Sequence, residues 1–186
     1  MKRLFDFSFA LLLMILLSVP FLFISLIVKL TSKGTVFYTS DRIGKNNSVF
    51  KMYKFRTMRV GTPQVATHLM KNPGEYSTPI GPVLRRLSLD ELPQLYNILK
   101  GDMSFVGPRP ALFNQIDLIT LRTDKGIDKL LPGLTGWAQI NGRDELAIPA
   151  KVAYEEYYLR HHSFHLDLKI LYKTSLKVLR GEGIQH

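Results

Sequence analysis

Two adjacent acidic residues and a nearby arginine carry the clearest chemical signal in this sequence. Asp90 and Glu91 stand at the predicted start of a helix, and Arg109 lies between two prolines in a predicted loop. A carboxylate can attack phosphorus or bind a cation, and a guanidinium on a restricted backbone can bind phosphate through two hydrogen bonds. The combination predicts phosphoryl chemistry.

The acidic pair also has a structural interpretation. Ser88 and Glu91 match the capping box S-x-x-E, in which Ser88 caps a helix and Glu91 reaches back to its amide. The box gives Asp90 no role, and Pro93 fits the first helical turn only if Asp90 is the cap. In either arrangement Asp90 would lie in the positive field of a helix N-terminus, which favours the ionised carboxylate.

Further cationic residues are candidates for a phosphate site. Arg85 shortly precedes the acidic pair, and Lys54 shares one face of a predicted strand with a second cation. Arg143 follows a flexible Asn-Gly pair and could close over a ligand. Each of these cations has an ordinary solvated charge as its alternative role, so they have less support than Arg109.

Several other kinds of site are excluded or weakly supported. The chain contains no cysteine, which excludes disulfides, a thiolate nucleophile and cysteine-ligated zinc. It has neither a G-x-x-x-x-G-K-[ST] nor a G-x-G-x-x-G motif, so neither a P-loop enzyme nor a Rossmann dinucleotide binder is predicted. His161 and His165 have metal-ligand spacing on a helix, but no third ligand is evident, and we expect surface histidines.

The composition indicates one medium-sized domain with a membrane element. The chain has 186 residues and a formal net charge of +10, which suits anionic lipid, nucleic acid or phosphorylated substrates. No charged residue occurs from Phe7 to Val28, a run that would be about 33 Å long as a straight helix. A signal peptide is disfavoured because no small-residue cleavage site follows. A membrane-crossing helix and a re-entrant hairpin remain as evenly weighted alternatives.

Two details favour the re-entrant alternative. Pro20, two residues after Ser18, removes a helix hydrogen bond and predicts a bend, and the Ser18 hydroxyl could bond a freed carbonyl. Basic residues flank both ends of the apolar run, with Lys2 and Arg3 before it and two lysines after it. If both ends lie at one membrane face, all of these cations can contact anionic headgroups.

The rest of the chain predicts a mostly helical α+β fold. A Gly-Lys-Asn-Asn turn signal separates two segments rich in β-branched and aromatic residues, which predicts a β-hairpin. Apolar spacing predicts the helices, and the segment 60–79 reads as a loop with a short helix. The predicted elements are strands 35–41 and 48–58, helices 84–99, 113–122, 150–161 and 164–180, and loops 101–110 and 131–144.

The last predicted helix, 164–180, has two distinct faces. Phe164, Leu168 and Leu171 lie on an apolar face, and three lysines beginning with Lys169 form a basic stripe on another. This pattern is typical of an amphipathic helix on a membrane surface, but a core-facing helix with a solvated lysine face shows it too. Beside a membrane segment the two interpretations have comparable weight.

Together these segments resemble the bacterial sugar transferase family, the monotopic phosphoglycosyl transferases. The resemblance covers nearly the whole chain and rests most on the block LRRLSLDELPQLYNILKGDMSFVGPRP at 84–110. The other matching pieces are Lys2-Arg3 with Asp6, KFRTM at 54–58, PGLTGWAQINGR at 132–143 and FHLDLKILYKT at 164–174. The four-helix membrane domain of larger members has no counterpart, so the chain resembles the minimal catalytic form.

The resemblance implies a specific activity. Members transfer a phosphosugar from a nucleotide diphosphosugar, usually a UDP-sugar, to polyprenyl (undecaprenyl) phosphate, and they release UMP. The product initiates glycoconjugate assembly, which downstream glycosyltransferases continue. In this chain Asp90 would be the nucleophile that forms a covalent phosphosugar intermediate, and Glu91 would be its partner and a ligand of the required Mg²⁺. The substrate-binding residues would be Arg109, Arg85, Lys54 and, at the uridine end, Arg143.

The resemblance also implies a location. Residues 1–33 would form a re-entrant anchor among membrane lipids, and residues 34–186 a catalytic domain on the cytoplasmic face of the bacterial inner membrane. Interfacial amphipathic helices are expected, and nucleic acid is not expected as a partner. Serine and proline are often adjacent at the family's kink, whereas Val19 separates them here, so the break is placed to within about one residue. Thr35 and Asn47 also depart from the family pattern, away from the acidic pair.

Two alternatives belong to other functional classes. A membrane-tethered module could bind lipid or nucleic acid without catalysis, with the acidic pair only capping a helix. A hydrolase could use the same site with water as the acceptor. No residue pattern identifies the sugar, the pathway or the oligomeric state.

Overall fold

The computed structural model describes residues 2–63, 73–142 and 146–180, and most of these are helical. Two small sheets lie among the helices, which confirms the predicted α+β class. The helices are α1 Lys2–Leu16, α2 Ser18–Thr31, α3 Gly81–Arg86, α4 Gln94–Lys100, α5 Ile116–Asp124, α6 Trp137–Ile140, α7 Ile148–His161 and α8 Phe164–Arg180. The strands are β1 Phe37–Ile43, β2 Val49–Phe55, β3 Ser104–Val106, β4 Ala111–Leu112 and β5 Gly133–Thr135.

The predicted β-hairpin is present. β1 and β2 pair antiparallel with Phe37 opposite Phe55, and β4 joins the other edge of β1. The turn passes through Asn46 and Asn47 at φ values of 53° and 57°, a left-handed conformation that asparagine adopts more readily than most residues. β2 ends at Phe55, three residues before the predicted end. In the predicted loop 60–79 the expected short helix is a 3₁₀ turn at Pro73–Tyr76.

Two segments that were predicted as loops form a short parallel sheet. β3 and β5 pair with Ser104 opposite Gly133, and strands of three residues are too short to show a two-residue period. The two segments approach closely at Gly133 and Gly136, where an added Cβ would lie 2.1 Å from the nitrogen and from the carbonyl oxygen of Gly107, respectively. Glycine is required for this approach, which holds the loop of Arg109 against the segment around β5.

The N-terminal segment is bent, as predicted. α1 and α2 meet at Leu17 with an angle of 65° between them. Pro20 is the third residue of α2, a position where the N–H that proline lacks would have no helical partner. Within the described residues no single helix is long and apolar enough to cross a membrane, whereas the bent pair together meets that length and composition. Within the described residues Ser18 does not make the expected bond to a carbonyl, whereas the hydroxyl of Ser25 donates to Phe21 O at 2.7 Å.

The helix pair packs one side against the rest of the chain and exposes the other. Ala10 of α1 is buried in the main core beside Ile98 and Met103, and Val28 of α2 is buried against Phe55. Complete burial of such an aliphatic side chain contributes about 2 kcal/mol. The opposite side exposes large apolar side chains, a surface that suits contact with lipid. They include Leu16, Val19, Leu22, Phe23 and Leu30.

The two basic residues that precede the apolar run contact protein groups. Lys2 Nζ lies 2.7 Å from Asp167 Oδ2, and Arg3 donates to the carbonyls of Ile98 and Leu99 at the end of α4. Cations at the C-terminal end of a helix interact favourably with its dipole. Both residues therefore attach the base of α1 to α4 and α8, and their contact with headgroups stays a prediction.

α8 leaves part of its predicted apolar face exposed. Asp167 and Ile170 are buried, whereas Phe164 and Leu168 are 52% and 44% exposed. Exposed apolar side chains beside a lysine stripe fit a helix on a membrane surface better than a helix packed by that face.

Candidate active site

The acidic pair lies in a 3₁₀ turn, Leu89–Glu91, between α3 and α4. Ser88 has a left-handed backbone, with φ 54°, and its side chain makes no capping hydrogen bond. Pro93 is the residue at the N-cap of α4. The capping-box interpretation is therefore wrong, and the helical segment predicted at 84–99 is present as α3 and α4 with the 3₁₀ turn between them. Asp90 does not start a helix; it lies on a turn that two helices hold from either side.

Cations from two distant segments converge on this turn. Lys54 Nζ of β2 lies 2.6 Å from Glu91 Oε1 and 3.7 Å from Asp90 Oδ2. Nη2 of Arg109 also lies 3.1 Å from Glu91 Oε1. The structure thus brings together Asp90, Glu91, Lys54 and Arg109, as the sequence analysis expected of a phosphate site.

Asp90 is buried, and burial dominates its electrostatics. Loss of solvation raises the pKa of the Asp90 carboxyl above its usual value, and the positive charge of Lys54 is the largest opposing influence. The expectation that a helix field would favour the ionised form is wrong, because no helix begins at this residue. A poorly solvated carboxylate is a stronger nucleophile than one in water, and a nearby cation favours the ionised form that can attack.

Arg85 lies on the other side of the turn with unused hydrogen-bonding capacity. Its Nη2 donates to the Ser77 hydroxyl, but its buried Nε and Nη1 have no hydrogen-bond partner within the described part of the chain. Burial lowers the pKa of Arg85, and the negative charge of Asp90 opposes that effect. Unpaired buried guanidinium nitrogens are costly, so an anionic ligand beside Asp90 would satisfy them.

An apolar groove of about 650 Å³ opens directly beside the charged cluster. Glu91 and Arg109 lie on its wall, and most of the remaining lining is apolar. Phe9 and Leu13 of α1 contribute one side, and Leu171 of α8 contributes another. The groove therefore runs from Arg109 to α1, the helix whose outer face exposes apolar side chains.

Some candidates lie elsewhere. Arg143 is outside the described residues, although the preceding Gly142 lines the groove. His161 and His165 are exposed, and no cluster of three or more metal-ligating side chains occurs in the described ranges. Mg²⁺ bound here would use the oxygens of Asp90 and Glu91, a donor type that suits it when phosphate and water supply the remaining ligands.

Three polar residues at or behind the site escaped the sequence analysis. Gln139 lines the groove, and its buried amide atoms have no partner among the residues described. Asn97, fully buried on α4, accepts from Tyr53 N at 3.0 Å and so fixes β2 beside Lys54. Arg122 donates to the carbonyl of Arg109. Their partners are distant in sequence, and although Gln139 and Asn97 lie in blocks that carry the resemblance, no local pattern marked either residue.

Comparison with known proteins gives the family. The protein-family model described as Bacterial sugar transferase matches residues 1–181 of this chain. The uncharacterized sugar transferase EpsL of Bacillus subtilis (strain 168) is 44% identical, over 100% of this chain and 90% of EpsL. The UDP-glucose:undecaprenyl-phosphate glucose-1-phosphate transferase of Escherichia coli (strain K12) is 39% identical, over 95% of this chain and 40% of that protein.

A third relative is named for a different sugar from that of the Escherichia coli protein. The undecaprenyl-phosphate galactose phosphotransferase of Salmonella typhimurium (strain LT2) is 35% identical, over 98% of this chain and 41% of that protein. Relatives that share this region are therefore named for more than one sugar. The family model matches almost the entire chain, and the acidic, cation-lined site lies within the matched region. This chain therefore belongs to the bacterial sugar transferase family and is an enzyme.

Proposed function

We propose that this enzyme transfers a sugar phosphate from a UDP-sugar to polyprenyl phosphate and releases UMP. The observation that carries the proposal is the junction of two surfaces: the buried carboxylate of Asp90 near Lys54, and an apolar groove whose wall includes the adjacent Glu91 and Arg109. A phosphate on a long apolar chain needs both surfaces. Relatives named as undecaprenyl-phosphate sugar phosphotransferases support this acceptor.

The reaction proceeds in two displacements at one phosphorus atom. An oxygen of ionised Asp90 attacks the sugar-bearing phosphorus, the bond from that phosphorus to the bridging oxygen breaks, and UMP leaves with the electron pair. An oxygen of polyprenyl phosphate then attacks the same phosphorus, and the carboxylate of Asp90 departs. The product is polyprenyl diphosphosugar, and each step exchanges one P–O bond for another.

The neighbouring charges support both displacements. Lys54 is close enough to Asp90 to favour its ionised form. Arg109 can bind a phosphate oxygen while it stays near Glu91, and Arg85 can offer its unpaired nitrogens to the donor diphosphate. Mg²⁺ held by Asp90 and Glu91 would reduce the repulsion between the diphosphate and the attacking carboxylate.

The membrane arrangement is part of the proposal. The bent pair α1 and α2 would enter and leave one leaflet, with α8 on its surface and lipids around the exposed apolar side chains. The site would then face the cytoplasm at the bacterial inner membrane, where UDP-sugars are available. Enzymes that extend a lipid-linked sugar would use the product.

The decisive test is to trap the intermediate with the donor alone. Incubating the protein with a panel of UDP-sugars and no lipid should release about one equivalent of UMP and add a sugar phosphate to residue 90, seen by peptide mass spectrometry. Asp90→Asn should give neither signal. UMP release without an adduct at Asp90 would contradict the covalent mechanism, and continuous release without lipid would indicate a hydrolase.

The topology has its own test. Because the chain has no native cysteine, single cysteines at Lys2 and Lys33 can be labelled specifically in oriented membrane vesicles. A re-entrant pair places both positions on the cytoplasmic side. Labelling from opposite sides would show that the segment crosses the membrane.

A further inference from the structure

The loop that carries Arg109 is held through its carbonyl groups. Pro108 and Pro110 lack a backbone N–H, and their carbonyls accept hydrogen bonds from the backbone of β5 at 2.8 Å and from a side chain of β1 at 3.3 Å. The carbonyl of Arg109 itself accepts a hydrogen bond from Nη2 of Arg122 at 3.0 Å. Three successive carbonyls are thus tied to three elements, which fixes the direction in which the Arg109 side chain leaves the loop.

Arg122 is buried on α5 and is oriented by Glu155 on α7. Its Nε donates to Glu155 Oε2 at 2.8 Å, and its Nη2 donates to Glu155 Oε1 at 2.5 Å. The two residues are only 8% and 2% exposed. Two-point pairing fixes the plane of the guanidinium, so that Nη2 can also reach the loop carbonyl.

Stability alone does not account for this pair. A buried ion pair contributes little relative to apolar residues because the desolvation of two charges offsets their attraction. The same two helices are also joined nearer the surface, where Glu156 of α7 lies 3.2 Å from Lys125 at the end of α5. The buried pair is distinguished from this connection by its contact with the Arg109 carbonyl.

We propose that Arg122, oriented by Glu155, is a positioning residue that sets Arg109 for phosphate binding. This inference rests on the proposed function, in which the Arg109 guanidinium binds phosphate beside Glu91. Both members of the buried pair lie outside the residues that line the groove, so they act on the substrate through the loop.

A double-mutant cycle on the full chain tests this role. UMP release is measured with a UDP-sugar that the panel identifies as a donor, in vesicles containing polyprenyl phosphate. Arg122→Lys should lower kcat/KM about tenfold, because a lysine cannot hold the carboxylate and the carbonyl in the same geometry. With Arg109→Ala already present, Arg122→Lys should change kcat/KM less than about twofold, because the side chain that it positions is absent.

Glu156→Gln is the matched control, because it removes a carboxylate from the same helix and weakens the surface connection to α5 without reaching the loop. It should change kcat/KM less than about twofold. Glu155→Gln should reproduce the cycle of Arg122→Lys, and it replaces that variant if Arg122→Lys does not fold.

Distinct outcomes would overturn distinct statements. An equal loss in both backgrounds, an equal loss from Glu156→Gln, or failure of both pair variants to fold would overturn the positioning role. Full activity of Arg109→Ala would instead refute phosphate binding by Arg109 in the proposed function. The adduct on Asp90 is measured independently of either result.

Discussion

Asp90 and Asp167 are buried to almost the same extent, 6% and 5% exposed, but their surroundings are opposite. Asp167 accepts hydrogen bonds from the Tyr158 hydroxyl at 2.6 Å and from Lys2 Nζ at 2.7 Å. Asp90 accepts no hydrogen bond from the described residues, and its ion-pair partner Lys54 is 3.7 Å away. The same residue type is therefore saturated with donors in one region and left open in the other.

This difference distinguishes a structural carboxylate from a reactive one. The partners of Asp167 belong to α1 and α7, so this residue joins the N-terminal helix pair to the rest of the fold. Burial, with the bond to Asp167 as the next contribution, raises the pKa of Tyr158 far above its usual value, so the phenol remains a donor. Asp90 keeps its oxygens available for a new bond, and its raised pKa shows that the ionised form is held at a cost.

The largest expected effect comes from neutralising the reactive carboxylate. Asp90→Asn should lower the rate of UMP release at least about a thousandfold, because an amide cannot form the intermediate. The free energy of unfolding should not fall. Folding raises the pKa of the Asp90 carboxyl, so this group destabilises the folded protein as pH rises above the pKa that it has in the unfolded chain. At neutral pH the neutral amide of Asp90→Asn removes that destabilisation.

Kinetics and thermal unfolding at pH 7 check both statements on the same protein sample. Loss of the folded state in Asp90→Asn, or turnover within about tenfold of the parent, would remove the contrast with Asp167.

Local sequence signals predicted much of the fold. The hairpin turn, the bend near Pro20 and the last two helices follow from neighbouring residues, whose periodicity and turn preferences are visible in the sequence. The acidic pair and Arg109 stood out because carboxylates beside a proline-flanked arginine are unusual. Their convergence on Lys54 was foreseen from the resemblance, since nothing local joins a β-strand to a turn 36 positions later.

The buried charges that organise the fold were not foreseen. Lys2 and Asp167 are 165 positions apart, and Arg122 and Glu155 are 33 apart. In each local pattern these residues look like solvated charges, because burial depends on which distant segment covers them. For the same reason the burial of Asp167 on α8 was not predicted, since the local pattern gave no reason to place an aspartate inside.

The second largest effect is expected at the structural carboxylate. Asp167→Asn should lower the free energy of unfolding by about 2–3 kcal/mol, because it breaks a partly buried ion pair and weakens the buried bond to Tyr158. Thermal unfolding measures the loss, and activity per folded molecule should stay within about twofold. The control is Asp41→Asn, which removes a carboxylate from the exposed pair with Lys51. Equal destabilisation by both variants would contradict the structural role.

The smallest expected effect comes from replacing Lys54. It sharpens the comparison of Asp90 with Asp167, because it tests what keeps the Asp90 carboxylate ionised. Lys54 is the strongest influence that lowers the pKa of Asp90 against the effect of burial. In Lys54→Met that pKa should rise further, so the acid limb of the rate of adduct formation should move to higher pH. The rate at neutral pH should fall about tenfold, because a smaller fraction of Asp90 is ionised.

Lys51→Met provides the control on the same strand, since Lys51 pairs with exposed Asp41 and not with the acidic pair. Its acid limb should coincide with that of the parent. If the Lys54→Met limb also stayed in place, or moved to lower pH, the charge of Lys54 would not be what keeps Asp90 ionised. The positive charges of Arg109 and Arg85, which also lower the pKa of Asp90, would then have to keep it ionised.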